Sequence, residues 1–268
     1  MSKKVLVADN DFFFVEFLTE LLEGRGYEVI RACDGKEAIS KLEEGPIDLL
    51  FADMVMPKID GTQLIQYTRK KFPGAHFPIV VISGTIIEQL DMVNKIGADY
   101  YIVKGPMEQM AVQINRFMEK METQPFSSPS DQNLFEAEDI YPRQVTADLI
   151  DSINFQRAIT ESAGVGIIVV DKDAKILNAN SLALEILNKS MEDVLNRAVT
   201  TIFQKNGKGL LIAGLKKVIQ DQTLRKSAFS FTIYEREIRT IVSLFKVDGE
   251  IAGWILAMED TDQWAGPA

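Results

Sequence analysis

Residues 1–122 alternate strand-like and helix-like patterns five times, and this alternation limits the fold more than any other feature of the chain. Short apolar runs read as strands at Lys4–Ala8, Tyr27–Ala32, Ile47–Ala52, Phe77–Ile82 and Asp99–Val103. Helical spacing follows them at about 11–23, 35–44, 61–71, 86–96 and 106–121. Strands separated by helices of this length pair in parallel through right-handed crossovers. The predicted class is therefore α/β, a doubly wound sheet of five parallel strands. Local signals agree. Asp34 is placed to cap the second helix, Pro106 suits the first turn of the fifth, and Gly24 and Gly26 stop the first.

Beyond residue 122 the character changes. Residues 123–131, Thr-Gln-Pro-Phe-Ser-Ser-Pro-Ser-Asp, open a proline- and serine-rich acidic stretch that reads as a linker over 123–145. A second domain is expected over 146–268. It starts with an amphipathic helix at about 146–162, with Leu149, Ile150, Ile153, Ala158 and Ile159 on its apolar side. A strand ending at Asp171, a turn, and a returning strand at 175–178 follow. Short helices are expected at 181–187 and 191–195, and a longer one at 209–219. Three strands, at 227–234, 237–247 and 251–258, close the pattern. Phe229, Phe231 and Ile233 alternate with Ser230, Thr232 and Tyr234, so one face of the first of these three is buried. This order implies a small antiparallel α+β domain.

Composition excludes several classes of function. The net charge is −10, with the acidic excess in residues 1–150, and no lysine- and arginine-rich stripe with interleaved aromatics occurs. Nucleic-acid binding is not expected. No apolar run approaches the roughly 20 residues that span a bilayer. Met1-Ser2-Lys3-Lys4 leads straight into a strand pattern, not a secretion signal. The single cysteine, Cys33, rules out an internal disulfide and fits a reducing compartment, so a cytoplasmic location is expected.

The chemistry centres on Asp53, which ends the apolar run 47–52 and is followed by Met54-Val55-Met56-Pro57 and the turn pair Asp60-Gly61. Asp9 ends the first strand, and Ser83 and Lys104 end later ones. Open α/β sheets bind ligands beyond the carboxyl ends of their strands, so these side chains form one candidate site. Phosphoryl transfer needs a nucleophile, charge neutralisation and usually Mg²⁺. Asp53 suits the nucleophile, forming an aspartyl-phosphate. Lys104 offers a point charge and Ser83 a hydroxyl donor for phosphate oxygens. Asp9, Asn10 or Asp11, Asp53 and a backbone carbonyl near Val55 suit the oxygen ligation of Mg²⁺.

With Asp9-Asn10, Asp53, Met56-Pro57, Asp60-Gly61, Ser83 and Lys104 in place, residues 1–122 resemble the receiver domain of bacterial two-component response regulators. The resemblance implies a flavodoxin-like strand order and a histidine kinase or histidine phosphotransfer protein that donates to Asp53. It also implies Tyr101 as an aromatic switch that follows Ser83 on phosphorylation and reshapes the face of the helices expected at 86–96 and 106–121. Two positions depart from the family pattern. Asn10 replaces a second acid, and its amide oxygen is a poorer Mg²⁺ ligand unless Asp11 compensates. Gly105 separates Lys104 from Pro106, where the family has lysine followed directly by proline. These departures define a rival reading, a receiver-fold scaffold that is never phosphorylated. A further alternative is a Mg²⁺-dependent aspartate-nucleophile phosphatase of haloacid-dehalogenase type, suggested by Asp9-Asn10-Asp11. It lacks the expected residue at Phe13, lacks an acidic pair after Lys104, and leaves Asp53 unexplained.

Phe14, Phe17, Leu18, Leu21 and Leu22 form the apolar stripe of the first helix, which leaves Phe12, Phe13 and Val15 beside the site, as a slightly oversized local cluster or as a patch for a docking kinase or phosphotransfer helix. Residues 164–262 resemble a PAS domain. The segments that carry this are Gly166–Asp171, Lys175–Asn180, Gly253-Trp254-Ile255 and Glu259-Asp260-Thr261. That implies an antiparallel five-stranded sheet in a sensor or dimerisation module, whose preceding helix either forms a homodimer with a second copy or packs on its own domain. The only histidine, His76, and Cys33 both lie in the first half, so the second half offers no histidine for haem and no cysteine for a chromophore adduct. A histidine kinase is likewise not expected, and neither is any enzyme beyond a receiver acting on its own phosphoryl group.

Overall fold

The computed structural model describes residues 2–73, 77–84, 97–123, 133–134, 155–203, 205–221 and 223–261. The chain divides into two units, residues 1–152 and 153–268.

In the first unit β1 (Lys4–Ala8), β2 (Glu28–Ala32), β3 (Leu49–Asp53), β4 (Ile79–Ser83) and β5 (Tyr100–Val103) form a parallel sheet ordered β2-β1-β3-β4-β5. Every residue of β3 and β4 is buried. Strands covered on both faces read as continuous apolar runs, which is why they stand out in the sequence. A two-residue strand, β6 (Asn133–Leu134), adds a sixth member at the edge and pairs with Tyr100 and Tyr101 of β5. It falls within the stretch expected to be linker, where no apolar run announced it. The helix predicted over 86–96, His76, and the remainder of 124–145 lie outside the described residues.

The helices begin on acids. Asp11 caps α1 (Phe12–Glu23) by accepting from the amides of Phe13 and Phe14, and Asp34 caps α2 (Gly35–Glu44) through the Glu37 amide. Asp60 and Gln63 form a reciprocal capping box on α3 (Gly61–Lys71). In α1 the residues Phe14, Leu18 and Leu22 are buried, as the stripe predicts. Val15 is buried as well, which corrects its expected place in an exposed patch. Val15, Leu18 and Leu22 are themselves spaced i, i+3, i+7, so the covered face is wider than one row of side chains. The starts of β4 and β5 are tied to the end of α3. There Arg69 donates to the carbonyls of Gly97 and Phe77 and to the buried Asp99 carboxylate, which in turn accepts from the Ile79 amide. Another helix of this unit, α4 (Met107–Thr123), packs Met110, Ile114 and Phe117 into the core.

The second unit carries helical residues 155–161 (α5), then β7 (Gly166–Asp171), β8 (Ile176–Ala179), α6 (Ser181–Leu187), α7 (Met191–Val194), a 3-10 turn (Val199–Thr201) and α8 (Lys205–Gln220). β9 (Lys226–Ile233), β10 (Arg236–Val247) and β11 (Glu250–Asp260) complete an antiparallel sheet ordered β8-β7-β11-β10-β9. The α+β class is as expected. α8 begins before the predicted 209, and its Gly207 fits against the Phe231 ring, where a Cβ would lie 3.0 Å away. Phe231 and Ile233 face the core while Ser230, Thr232 and Tyr234 are exposed. In α5 the side chains of Phe155, Ala158 and Ile159 are exposed. Among the described residues no helix is long and apolar enough to cross a membrane.

Candidate functional site

Strand register builds the site. Ala8 of β1 lies opposite Ala52 of β3, so Asp9 and Asp53 leave the sheet side by side. Asp53 lies opposite Ile82 of β4, and Ser83 lies opposite Val103 of β5, so Ser83 and Lys104 emerge at the same carboxyl edge. The Lys104 amide donates to the Ser83 carbonyl at 2.8 Å, which fixes the root of the lysine.

The side chains converge as these positions require. The Lys104 ammonium stands 2.6 Å from Asp9 Oδ2 and 3.4 Å from Asp53 Oδ2. Asp9 is almost wholly buried, and its Oδ1 accepts the Asp11 amide at 2.9 Å. Its Oδ2 sits close enough to Lys104 for an ion pair but is not aligned for a hydrogen bond with any group. Burial pushes the Asp53 carboxyl up from its ordinary 3.8 to about 6, and the neighbouring Asp9 adds to the rise. Lys104 and the Met54 amide pull the other way.

The remaining predicted residues are distributed around this centre. Ser83 is buried at the next strand end. Tyr101 lies three residues back from Lys104, buried within β5 between Val81 of β4 and Leu134 of β6 in register, so it is part of the sheet and not of the mouth. Asn10 is exposed at the rim and Val55 is half-buried on the loop after β3. Asp11, the acid expected to compensate for Asn10, has a second use: its Oδ1 takes the Phe13 and Phe14 amides at 3.0 and 3.2 Å as the cap of α1. Among the described residues no three of His, Cys, Asp and Glu are grouped so as to hold a metal ion between them. Two carboxylates, one oxygen of which lacks a hydrogen bond, with an amide and a carbonyl at the rim, do fit a hard cation that keeps several waters.

Sequence reasoning missed one neighbour. The Phe14 ring, assigned to the core, lies with its centroid 4.7 Å from the Lys104 ammonium. Its position on the apolar stripe concealed a second contact, because a lysine's long stem reaches partners that strand spacing does not reveal. Phe12 and Phe13, by contrast, are exposed as expected, at 68% and 74%, with their rings 5.8 Å apart edge to face.

An acid pair and a lysine at the carboxyl edge of a doubly wound sheet define the first unit as a receiver. Residues 5–115 match the model of the response regulator receiver domain, and residues 154–261 match that of the PAS fold. The chain is thus a response regulator receiver domain followed by a PAS domain. Over 106 residues it is 38% identical to the alkaline phosphatase synthesis transcriptional regulatory protein PhoP of Bacillus subtilis, covering 39% of this chain and 43% of that protein. Over 229 residues it is 23% identical to the sensor histidine kinase TmoS of Ectopseudomonas mendocina, covering 81% of this chain and 23% of that protein. A CheY-like receiver domain protein of Methanospirillum hungatei is 26% identical in its crystal structure, with a TM-score of 0.40 over 46% of this chain and 98% of that one. The chain spans less than half the length of these two curated relatives.

Proposed function

We propose that this chain is a response regulator of a two-component phosphorelay, with Asp53 as the phosphoacceptor. The observation that carries the reading is the Lys104 ammonium held between the carboxylates of Asp9 and Asp53 at the sheet's carboxyl edge. An Asp53 oxygen attacks the phosphorus of a phosphohistidine on a histidine kinase or phosphotransfer protein. The N–P bond breaks, the imidazole nitrogen leaves with the electron pair and takes a proton, and an acyl phosphate forms on Asp53. Attack by water on phosphorus returns the carboxylate and releases inorganic phosphate. Lys104 neutralises a phosphoryl oxygen and Ser83 donates its hydroxyl to another. Asp9, Asp53, the Asn10 amide oxygen and the Val55 carbonyl would hold Mg²⁺, which supplies charge neutralisation at the phosphoryl oxygens. Tyr101 follows Ser83 as the reader of the phosphorylated state. Output is protein contact, in the cytoplasm, with neither nucleic acid nor membrane as partner. The exposed Phe155 and Ile159 serve a homodimer through the PAS unit; a solution mass of twice the 30.0 kDa chain would support this, and a monomer mass at high concentration would refute it.

A second reading has its own observation. With an amide at position 10 and Asp11 Oδ1 engaged in a helix cap, the described residues gather no three acids placed to hold a metal. The chain would then be a scaffold whose receiver fold only offers surfaces. Intact mass after incubation with acetyl phosphate and Mg²⁺ separates the two readings. A phosphoryl adduct on the wild type and none on Asp53→Asn is expected; an unmodified wild type at raised Mg²⁺ favours the scaffold. A second arm of the same assay reads donor docking. Phe12→Ser with Phe13→Ser should slow transfer from a phosphorylated donor protein about tenfold or more while leaving the acetyl phosphate rate unchanged, since exposed aromatic anchors carry much of a docking energy. Equal rates from the donor in both proteins would remove the docking role.

A further inference from the structure

We propose that Phe14 is a positioning residue for the phosphoryl site, fixing the Lys104 ammonium between the two carboxylates through the face of its ring. The inference rests on the phosphoacceptor reading and adds to it a residue outside the polar set. Lys104 reaches the site on a flexible stem from the end of β5, with its side chain 23% exposed. It meets Asp9 at 2.6 Å but without hydrogen-bond alignment, and Asp53 at 3.4 Å. The two acid contacts are unequal, so the ammonium can tip toward the nearer acid. The ring, 4.7 Å from the ammonium, is a third, non-titrating partner, and the negative face of an aromatic ring attracts a partly desolvated cation.

Phe14 is itself held in place. Only 6% of it is exposed, and it packs into the cluster that contains Leu18 and Ile102. Its amide donates to Asp11 Oδ1 at 3.2 Å, and the Asp11 amide donates to Asp9 Oδ1 at 2.9 Å. Asp9, Asp11, Phe14 and Lys104 therefore close a ring of contacts that begins and ends on Asp9. A donor fixed in this way needs little reorganisation when negative charge grows beside it.

The competing role for Phe14 is plain packing. Site-specific replacement of Phe14 by phenylalanines with one, two and three ring fluorines separates the two, because shape is nearly kept while the negative potential of the ring face falls. Two quantities are read on the full chain. One is the upfield ring-current shift of the Lys104 ε-methylene protons, which needs no phosphoryl transfer. The other is the rate of labelling by acetyl phosphate. The expected result is a clear upfield shift in the wild type and a rate that falls stepwise with fluorination, reaching about tenfold for the most fluorinated ring. Phe14→Leu should match the slowest of these, and Phe14→Tyr should restore the rate. A rate flat across the fluorinated series overturns the proposal, because packing alone would give that outcome. An absent upfield shift overturns it whatever the rates do. A wild type that takes no phosphoryl group while showing the shift fails the phosphoacceptor reading first, and the positioning role falls with it.

Discussion

Replacing Asp53 by Asn is expected to stabilise the receiver unit by about 2–3 kcal/mol at pH 8 in the presence of a chelator, and to do so less and less as the pH falls toward 4. The origin is burial: the fold removes the carboxyl from water and sets it beside Asp9, which raises it from 3.8 to about 6, chiefly through desolvation. The sign follows from which state binds the proton more tightly. Below about pH 4 both folded and unfolded chains carry it, and the acid costs nothing. Between about 4 and 6 the unfolded chain ionises first, so the folded wild type loses stability as pH rises. Above 6 the whole penalty is present. Asparagine has no such titration, and its amide oxygen can still face Lys104. Hydrogen-exchange mass spectrometry of the β1 and β3 peptides reads the receiver unit separately from the PAS unit. A wild type and variant of equal stability at pH 8, or a gain that grows on acidification, would contradict the argument. Under the phosphoacceptor reading, this loss of stability is the cost of holding a carboxylate in a buried site.

The same balance explains how far the site could be read without coordinates. Asp9, Asp53 and Ser83 were visible because each ends a strand made almost wholly of buried residues, and Lys104 because it follows β5, whose middle two residues are buried; an apolar run followed by a polar residue marks a carboxyl edge. β1 has the bounds that the sequence suggested, and the other four strands shift by two residues or fewer at either end. Three features escaped. β6 is two residues long and lies in a polar stretch, so it has no periodicity to detect. Val15 fell off a stripe drawn one row too narrow. The contact of Phe14 with Lys104 joins the first turn of a helix to the end of β5, ninety residues on, through a lysine stem whose path depends on tertiary packing. Asp11 shows the opposite difficulty. The sequence reading offered it only as a metal acid, and local hydrogen bonding to the amides of α1 engages its Oδ1 as a helix cap.

Gly61→Ala is expected to cost the receiver unit about 3 kcal/mol or more, and to disturb the proposed phosphoacceptor, Asp53, as well. The Gly61 amide donates to the Met54 carbonyl at 3.1 Å, so the start of α3 is drawn against the end of β3. A Cβ there would stand 2.1 Å from the carbonyl oxygen of Asp53 and 2.8 Å from Met54 Cα. Both are backbone atoms, and neither yields by turning a rotamer. The helix must lift away from the strand, or the peptide after Asp53 must rotate, and either motion moves the carboxylate relative to Lys104. Gly45 supplies the control. Its backbone is extended, with φ 172°, and a Cβ would meet nothing within 4 Å. Gly45→Ala should therefore stay within about 0.5 kcal/mol of the wild type. Receiver stability by hydrogen exchange and the acetyl phosphate rate, measured on both variants, give the test. Gly61→Ala should lose both together; an alanine at 61 that leaves stability within about 1 kcal/mol would show that α3 has slack at its start that the close contact denies. The Asp60-Gly61 pair is then a steric condition on Asp53: the acid keeps its place because the residue eight positions later has no side chain.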